Sequence, residues 1–218
     1  MTLYLGSFEI TYEPLKMEAL PAEVRDGLEE LFELVRSEPA RALVELEPLS
    51  AQFPKALSLA NWRITCISRL GRGKEARKLA EKLTVENPEY FFGRLTLAEQ
   101  CLNDMDLDEA GRALGEIKHP CAVCPGRKLF HISEILAYFH LCARYYLLRG
   151  EFTIAESFLE ILQSIEPEAP VTMALAQNLE ACREATSHFL AARDEVIQET
   201  GVYRPAAGRS QKGVASAG

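Results

Sequence analysis

A recurring distance constrains this chain more than its composition does. Alanine stands twelve residues ahead of a proline at Ala42 and Pro54, at Ala76 and Pro88, and at Ala155 and Pro167. Ala76 and Ala110 are 34 residues apart. The unit behind this spacing is clearest from Leu136 to Pro167, LAYFHLCARYYLLRGEFTIAESFLEILQSIEP. At helical spacing Phe139, Cys142, Ala143 and Tyr146 form one apolar stripe and Phe152, Ala155, Phe158, Leu159 and Leu162 a second, with Gly150 stopping the helix between them. Pro167 closes the pair, because a residue without an amide hydrogen cannot continue a helix interior. Small residues at Ala143 and Ala155 let two antiparallel helices approach, and the aromatic residues fill the space around them.

This pattern resembles the tetratricopeptide repeat, a 34-residue helix-turn-helix with small and aromatic residues at fixed offsets. Phe139, Ala143, Tyr146, Gly150, Phe152, Ala155 and Pro167 agree with it in type and spacing. The resemblance implies an all-α fold, a right-handed superhelix (α-solenoid) of three to four such repeats ending in a C-terminal capping helix. On that reading residues 1–20 are an extended N-terminal segment and residues 21–200 the repeat domain. The domain comprises a degenerate repeat at 21–54, with Pro48 shortening or kinking its second helix, and repeats at 57–88, 91–118 and 136–167. An insertion falls at 119–132, a cap of one or two helices at 171–198, and a disordered tail at 201–218.

Residues Met1 to Tyr12 alternate weakly at the period of a strand, with Phe8, Ile10 and Tyr12 on one side and Glu9 and Thr11 on the other. A lone strand needs an edge or a groove. The segment is expected to pack on the first helices, the alternatives being that it fills the protein's own groove or crosses to a second copy.

The net charge of -8 and pI near 5.2 argue against a nucleic-acid or anionic-membrane binder, which would carry a basic field. There is no apolar run of about 18 residues and no basic-then-apolar leader, so a cytoplasmic protein without membrane insertion is expected. Six cysteines then read as thiols. Cys66, Cys101, Cys142 and Cys182 fall in helical patterns, as small core residues do.

The repeat spacing breaks between Ala110 and Ala155, which are 45 residues apart. The surplus is HPCAVCPGRKLFH. His119, Cys121, Cys124 and His131 offer thiolate and imidazole ligands for Zn²⁺, although both histidines stand closer to the cysteines than paired zinc knuckles place them. A dithiol of Cys121 and Cys124 is the redox alternative, and a plain inter-repeat loop the third. No nucleophile elbow, phosphate loop or His-Glu-x-x-His helix occurs, so no enzyme is expected. Asp104, Asp106, Asp108 and Glu109 read as a solvated turn placing acids at a helix N-terminus.

In repeats of the type resembled, the first helix of each pair lines the concave surface. Here that places Asn61, Thr65 and Ser68, then Leu95, Glu99 and Leu102, then His140 and Arg144 in the groove. Carboxylate-clamping relatives carry cations on these helices, whereas Glu99 would repel a carboxylate. The function implied is a non-enzymatic adaptor binding a protein or peptide segment, in a narrower version a secretion-type chaperone. No cofactor is required apart from the zinc alternative, and a homo-oligomer is left open.

Overall fold

The computed structural model describes residues 2–4, 8–13, 20–117 and 119–200. The expected disordered tail at 201–218 lies outside them, as does part of the N-terminal segment. Among the described residues the chain is almost wholly helical. The helices are α1 (Ala22–Asp26), α2 (Leu28–Ser37), α3 (Pro39–Gln52), α4 (Leu57–Arg69), α5 (Gly73–Glu86), α6 (Phe91–Asn103), α7 (Leu107–Ala113), α8 (Pro120–Val123), α9 (Ile132–Leu148), α10 (Phe152–Ile165) and α11 (Pro170–Thr200). Three short strands, β1 (Thr2–Tyr4), β2 (Glu9–Thr11) and β3 (Leu129–His131), form one sheet. The chain divides into two compact units, residues 1–177 and 178–218.

In the first unit α1 to α7 pack each on the next and α9 packs on α10, and the first helices also pack side by side, α2 on α4, α4 on α6 and α6 on α9. This is the stacking of helical hairpins that a period of 34 demands, since one hairpin cannot cover its own apolar stripe. Ala42, Ala76, Ala110, Ala143 and Ala155 are all fully buried, at the close approaches where any larger side chain would push helices apart. Leu46, Leu59, Ile67, Leu102, Tyr138 and Leu162 fill the layers between them, each contributing roughly 1.5–3 kcal/mol of transfer free energy. Cys66, Cys101 and Cys142 belong to this core, while Cys182 is partly exposed.

Three of the turns between paired helices share one geometry. Gly71, Met105 and Gly150 have φ of 77°, 60° and 75°, and at each the chain reverses with two backbone bonds back to the helix, such as Gly71 N to Ser68 O and Arg72 N to Ile67 O. Met105 stands 34 residues after Gly71, so it occupies a left-handed position that the other turns give to glycine.

Two helical expectations are corrected. Pro48 does not shorten α3, which runs fourteen residues to Gln52. The carbonyl deprived of a donor there belongs to Val44, a residue 71% exposed, so the missing bond falls where water can supply it. The first helix of the degenerate repeat at 21–54 is broken at Gly27 into α1 and α2. The cap is a single helix, α11, which in the second unit buries Leu179 and exposes Phe189, Leu190 and Val196.

The N-terminal segment also departs from expectation. β1 pairs antiparallel with β2, and β2 pairs parallel with β3, setting Ile10 opposite Phe130. Residues 9–11 therefore lie on the insertion rather than on the first helices or in the groove. The insertion supplies the edge that an isolated strand lacks. Ile10 and Phe130 are fully buried, Phe8 nearly so, and Phe8 meets Phe130 edge to face at 5.8 Å.

Candidate functional site: an aromatic-walled cleft

The row of first helices presents a cleft of about 770 Å³. Ser58, Asn61, Trp62, Thr65, Ser68 and Arg69 reach it from α4, and Phe92, Leu95, Thr96 and Glu99 from α6. These offsets of three and four residues are those of one helix face. Phe32 and Arg36 of α2 close one side, Ser133, Ala137 and His140 of α9 the other.

Of the eight residues expected in the groove, six line this cleft: Asn61, Thr65, Ser68, Leu95, Glu99 and His140. Leu102 does not; it is 1% exposed and belongs to the core. Arg144 also stands outside the lining, where Nη2 donates to Asn103 Oδ1 at 3.0 Å. Both lie one turn beyond the lining residues of their helices. Because Cα–Cβ bonds tilt toward a helix N-terminus, the lining gathers at the N-terminal ends of α6 and α9, and the expected stripe ran one turn too far.

The aromatic wall was not foreseen. Phe32 and Trp62 lie with ring centroids 5.5 Å apart, and Tyr90 and Phe92 6.4 Å apart. Phe32 is 42% exposed, although its apolar side chain would gain by burial. The signal was available in the spacing, since Phe92 precedes Leu95 by three residues and Trp62 adjoins Asn61.

The polar lining is partly committed to the protein itself. Thr65 Oγ1 donates to Asn61 O at 3.2 Å, Ser68 Oγ donates to Gln100 Oε1 at 2.7 Å, and Arg69 Nη1 donates to Arg36 O at 2.6 Å. The buried Asn61 Oδ1 accepts no hydrogen bond among the described residues. Burial pushes the Glu99 carboxyl above its usual range, against the opposing pull of Arg144 and Arg69. Burial, with Arg144 nearby, brings His140 down to about 4. The cleft therefore holds a neutral imidazole and a carboxylate that costs free energy to ionise.

His119, Cys121, Cys124 and His131 are not brought together as a ligand set; among the described residues no group of three or more His, Cys, Asp or Glu side chains is placed to hold a metal ion. Each has local work. His119 Nδ1 accepts from Cys121 N at 3.2 Å at the start of α8, and its ring lies 4.9 Å from that of Phe8. The Cys124 thiol is buried, its Sγ 3.6 Å from Glu89 O, and burial raises its pKa. His131 opens α9 with a capping box: its Nδ1 accepts from Ser133 N at 3.2 Å while Glu134 accepts from His131 N at 2.9 Å. The acidic turn is likewise structural, with Asp106 capping α7 and pairing with Arg77, which also reaches Asp104.

A smaller cavity of about 450 Å³ is lined by Tyr145, Tyr146, Arg112 and Arg149 among others. Its arginines are paired, Arg112 with Glu109 and Arg149 with Glu151. The aromatic cleft is therefore the larger and less self-satisfied of the two.

Stacked helical hairpins with a lined cleft define a tetratricopeptide-like fold, an α-solenoid. A solved structure described as TPR-like repeats of a Podosopora anserina kinesin light chain has the same fold, with a TM-score of 0.51 and 20% identity over 83% of this chain and 95% of that one. No family model and no curated protein matches the sequence. Among the described residues no helix is long and apolar enough to cross a membrane.

Proposed function

We propose that this chain is a non-enzymatic interaction scaffold that holds a segment of a protein partner in its aromatic-walled cleft. The observation that carries this reading is the conjunction of the exposed ring of Phe32 and the half-buried rings of Trp62, Tyr90 and Phe92 with Asn61, whose buried Oδ1 accepts no hydrogen bond among the described residues, beside Glu99 and His140. Rigid aromatic side chains give large contact areas at small entropic cost, which is why they dominate hot spots. The neighbouring polar groups then set the orientation of the bound segment.

A partner segment would bury apolar side chains against Trp62 and Phe92 and place hydrogen-bonding groups over Asn61 and Glu99. The acidic surface and modest size also suit a secretion-type chaperone that keeps one cargo unassembled in a cytoplasmic compartment. Recovery of one secreted or membrane-inserting partner supports that narrower reading, and recovery of many unrelated proteins supports a general adaptor.

Paired single substitutions test the cleft. Trp62→Ser and Phe92→Ser remove partly exposed rings, so the helical signal is retained while affinity for the captured partner falls about tenfold or more, the range of a hot-spot side chain. Unchanged affinity in both folded variants overturns the assignment. Leu95→Glu is the weaker test, because Leu95 is 3% exposed and a charge there damages the core as well as the cleft.

A further inference from the structure

Among the described residues two carboxylates line the cleft, Glu99 and Glu134, and the protein treats them differently. Glu134, buried at the start of α9, accepts from both terminal nitrogens of Arg127 and from the His131 amide. The same guanidinium lies over the Phe130 ring, 4.7 Å from its centroid. A buried carboxylate is thus satisfied by a cation that is itself held against an aromatic face. Glu99, on α6, has no such partner. Among the described residues it forms no hydrogen bond or ion pair, because Arg144 donates to Asn103 Oδ1, Arg69 to Arg36 O and Arg36 to Glu33. Arg69 and Arg144 still draw Glu99 toward its ionised form from a distance, against the burial that opposes it.

The groups beside Glu99 offer acceptors as well. Thr65 and Ser68 have turned their hydroxyl hydrogens to Asn61 O and Gln100 Oε1, so lone pairs are what they have left for the cleft. Asn61, 8% exposed, lines the cleft with an Oδ1 that accepts nothing among the described residues. Trp62 and Phe92 line it too, and the faces of aromatic rings are negative. An acceptor floor beside negative ring faces is complementary to a group that donates several N–H bonds and carries positive charge. A carboxylate or phosphate would meet Glu99 at like charge, and an alkyl group would leave Asn61 and Glu99 unpaired in a site closed to water. A hydroxyl would serve Asn61 and leave the charge of Glu99 uncompensated.

We propose that the cleft selects protein segments carrying an arginine or lysine side chain within an apolar stretch, the cation lying between the Glu99 and Asn61 floor and the aromatic wall. This selectivity rests on the cleft being a partner site, as assigned above, and specifies what the partner brings. From outside it supplies for Glu99 what Arg127 supplies for Glu134 from within.

A library of short random peptides displayed on phage, selected on the full chain with the Trp62→Ser chain as counter-selection, tests the anchor and the cleft apart. The expected result is enrichment of peptides that share a basic residue set between apolar ones. For an enriched peptide in solution, Glu99→Gln in the protein and exchange of the peptide's basic residue for glutamine should each weaken binding about tenfold. Made together, the two changes should cost little more than either alone, because they remove one interaction. The peptide exchange leaves the protein untouched, so it decides by itself if Glu99→Gln fails to fold. Enriched peptides that need Trp62 but lack a basic residue, or losses that simply add, overturn the anchor and leave the cleft standing as a partner site. Enrichment that is equal on the Trp62→Ser chain, or absent on both, overturns the anchor and the cleft together.

Discussion

Met105 sits with φ of 60° where the matching turns have Gly71 and Gly150, and its side chain is 58% exposed. A left-handed conformation costs a residue with a Cβ roughly 1–2 kcal/mol, part of which glycine gives back through its own backbone entropy. Met105→Gly is therefore expected to raise stability by about 0.5–1 kcal/mol in urea unfolding, and a loss would show that Met105 packs better than its exposure indicates. The cleft groups give opposite pH signatures. The folded-state pKa of Glu99 is raised, so its favourable contribution is present below the ordinary 4.5 and lost as pH rises through the folded value. Glu99→Gln should then match the parent at low pH and exceed it at neutral pH. The folded-state pKa of His140 is lowered from 6.5 to about 4, so its contribution is present above 6.5 and lost as pH falls between those values. His140→Gln should flatten that part of the stability profile. A parallel profile for parent and variant would contradict the burial assigned to the imidazole.

The helical hairpins were legible because each carries the same small residues at the same offsets. Ala110 and Ala155 are fully buried because no other side chain lets the paired helices close, and Ala110→Leu should cost about 1–3 kcal/mol by overpacking, measured as a lowered unfolding midpoint. The insertion was not legible. Its strand is three residues long and its partner lies more than a hundred residues upstream, so no local period marks the pairing. Its histidines and cysteines look like ligands on spacing alone, yet His119 and His131 start helices and Cys124 is buried. Arg127 and Glu134 carried no sequence signal, though Glu134 is 4% exposed and bound by both arginine nitrogens and the His131 amide. Removing the cation leaves a buried carboxylate short of partners, so Arg127→Ala should cost about 3–5 kcal/mol. The added change Glu134→Gln should recover part of that loss in chemical denaturation, and no recovery would mean that Arg127 acts through its stacking on Phe130 instead.

For the molecule as a body, the sequence located the concave face to within one helical turn but not its chemistry. Asn61, Glu99 and His140 followed from helix geometry together with the resemblance to the tetratricopeptide repeat, and they line the cleft. The aromatic wall depends on how α2, α4 and α6 stack, which brings Phe32 to Trp62 across thirty residues of chain and sets the Tyr90 and Phe92 pair on the same cleft. The central claim is that a protein segment lies in this cleft. The most direct measurement is site-specific photo-cross-linking in the source organism, with a benzophenone side chain placed at position 92 in the cleft or at position 85, where Val85 of α5 is 81% exposed outside it. The account predicts a discrete partner cross-linked from position 92, absent from position 85, and lost when Trp62→Ser is added. Equal cross-linking from both positions, or a product at position 92 that survives Trp62→Ser undiminished, would contradict it.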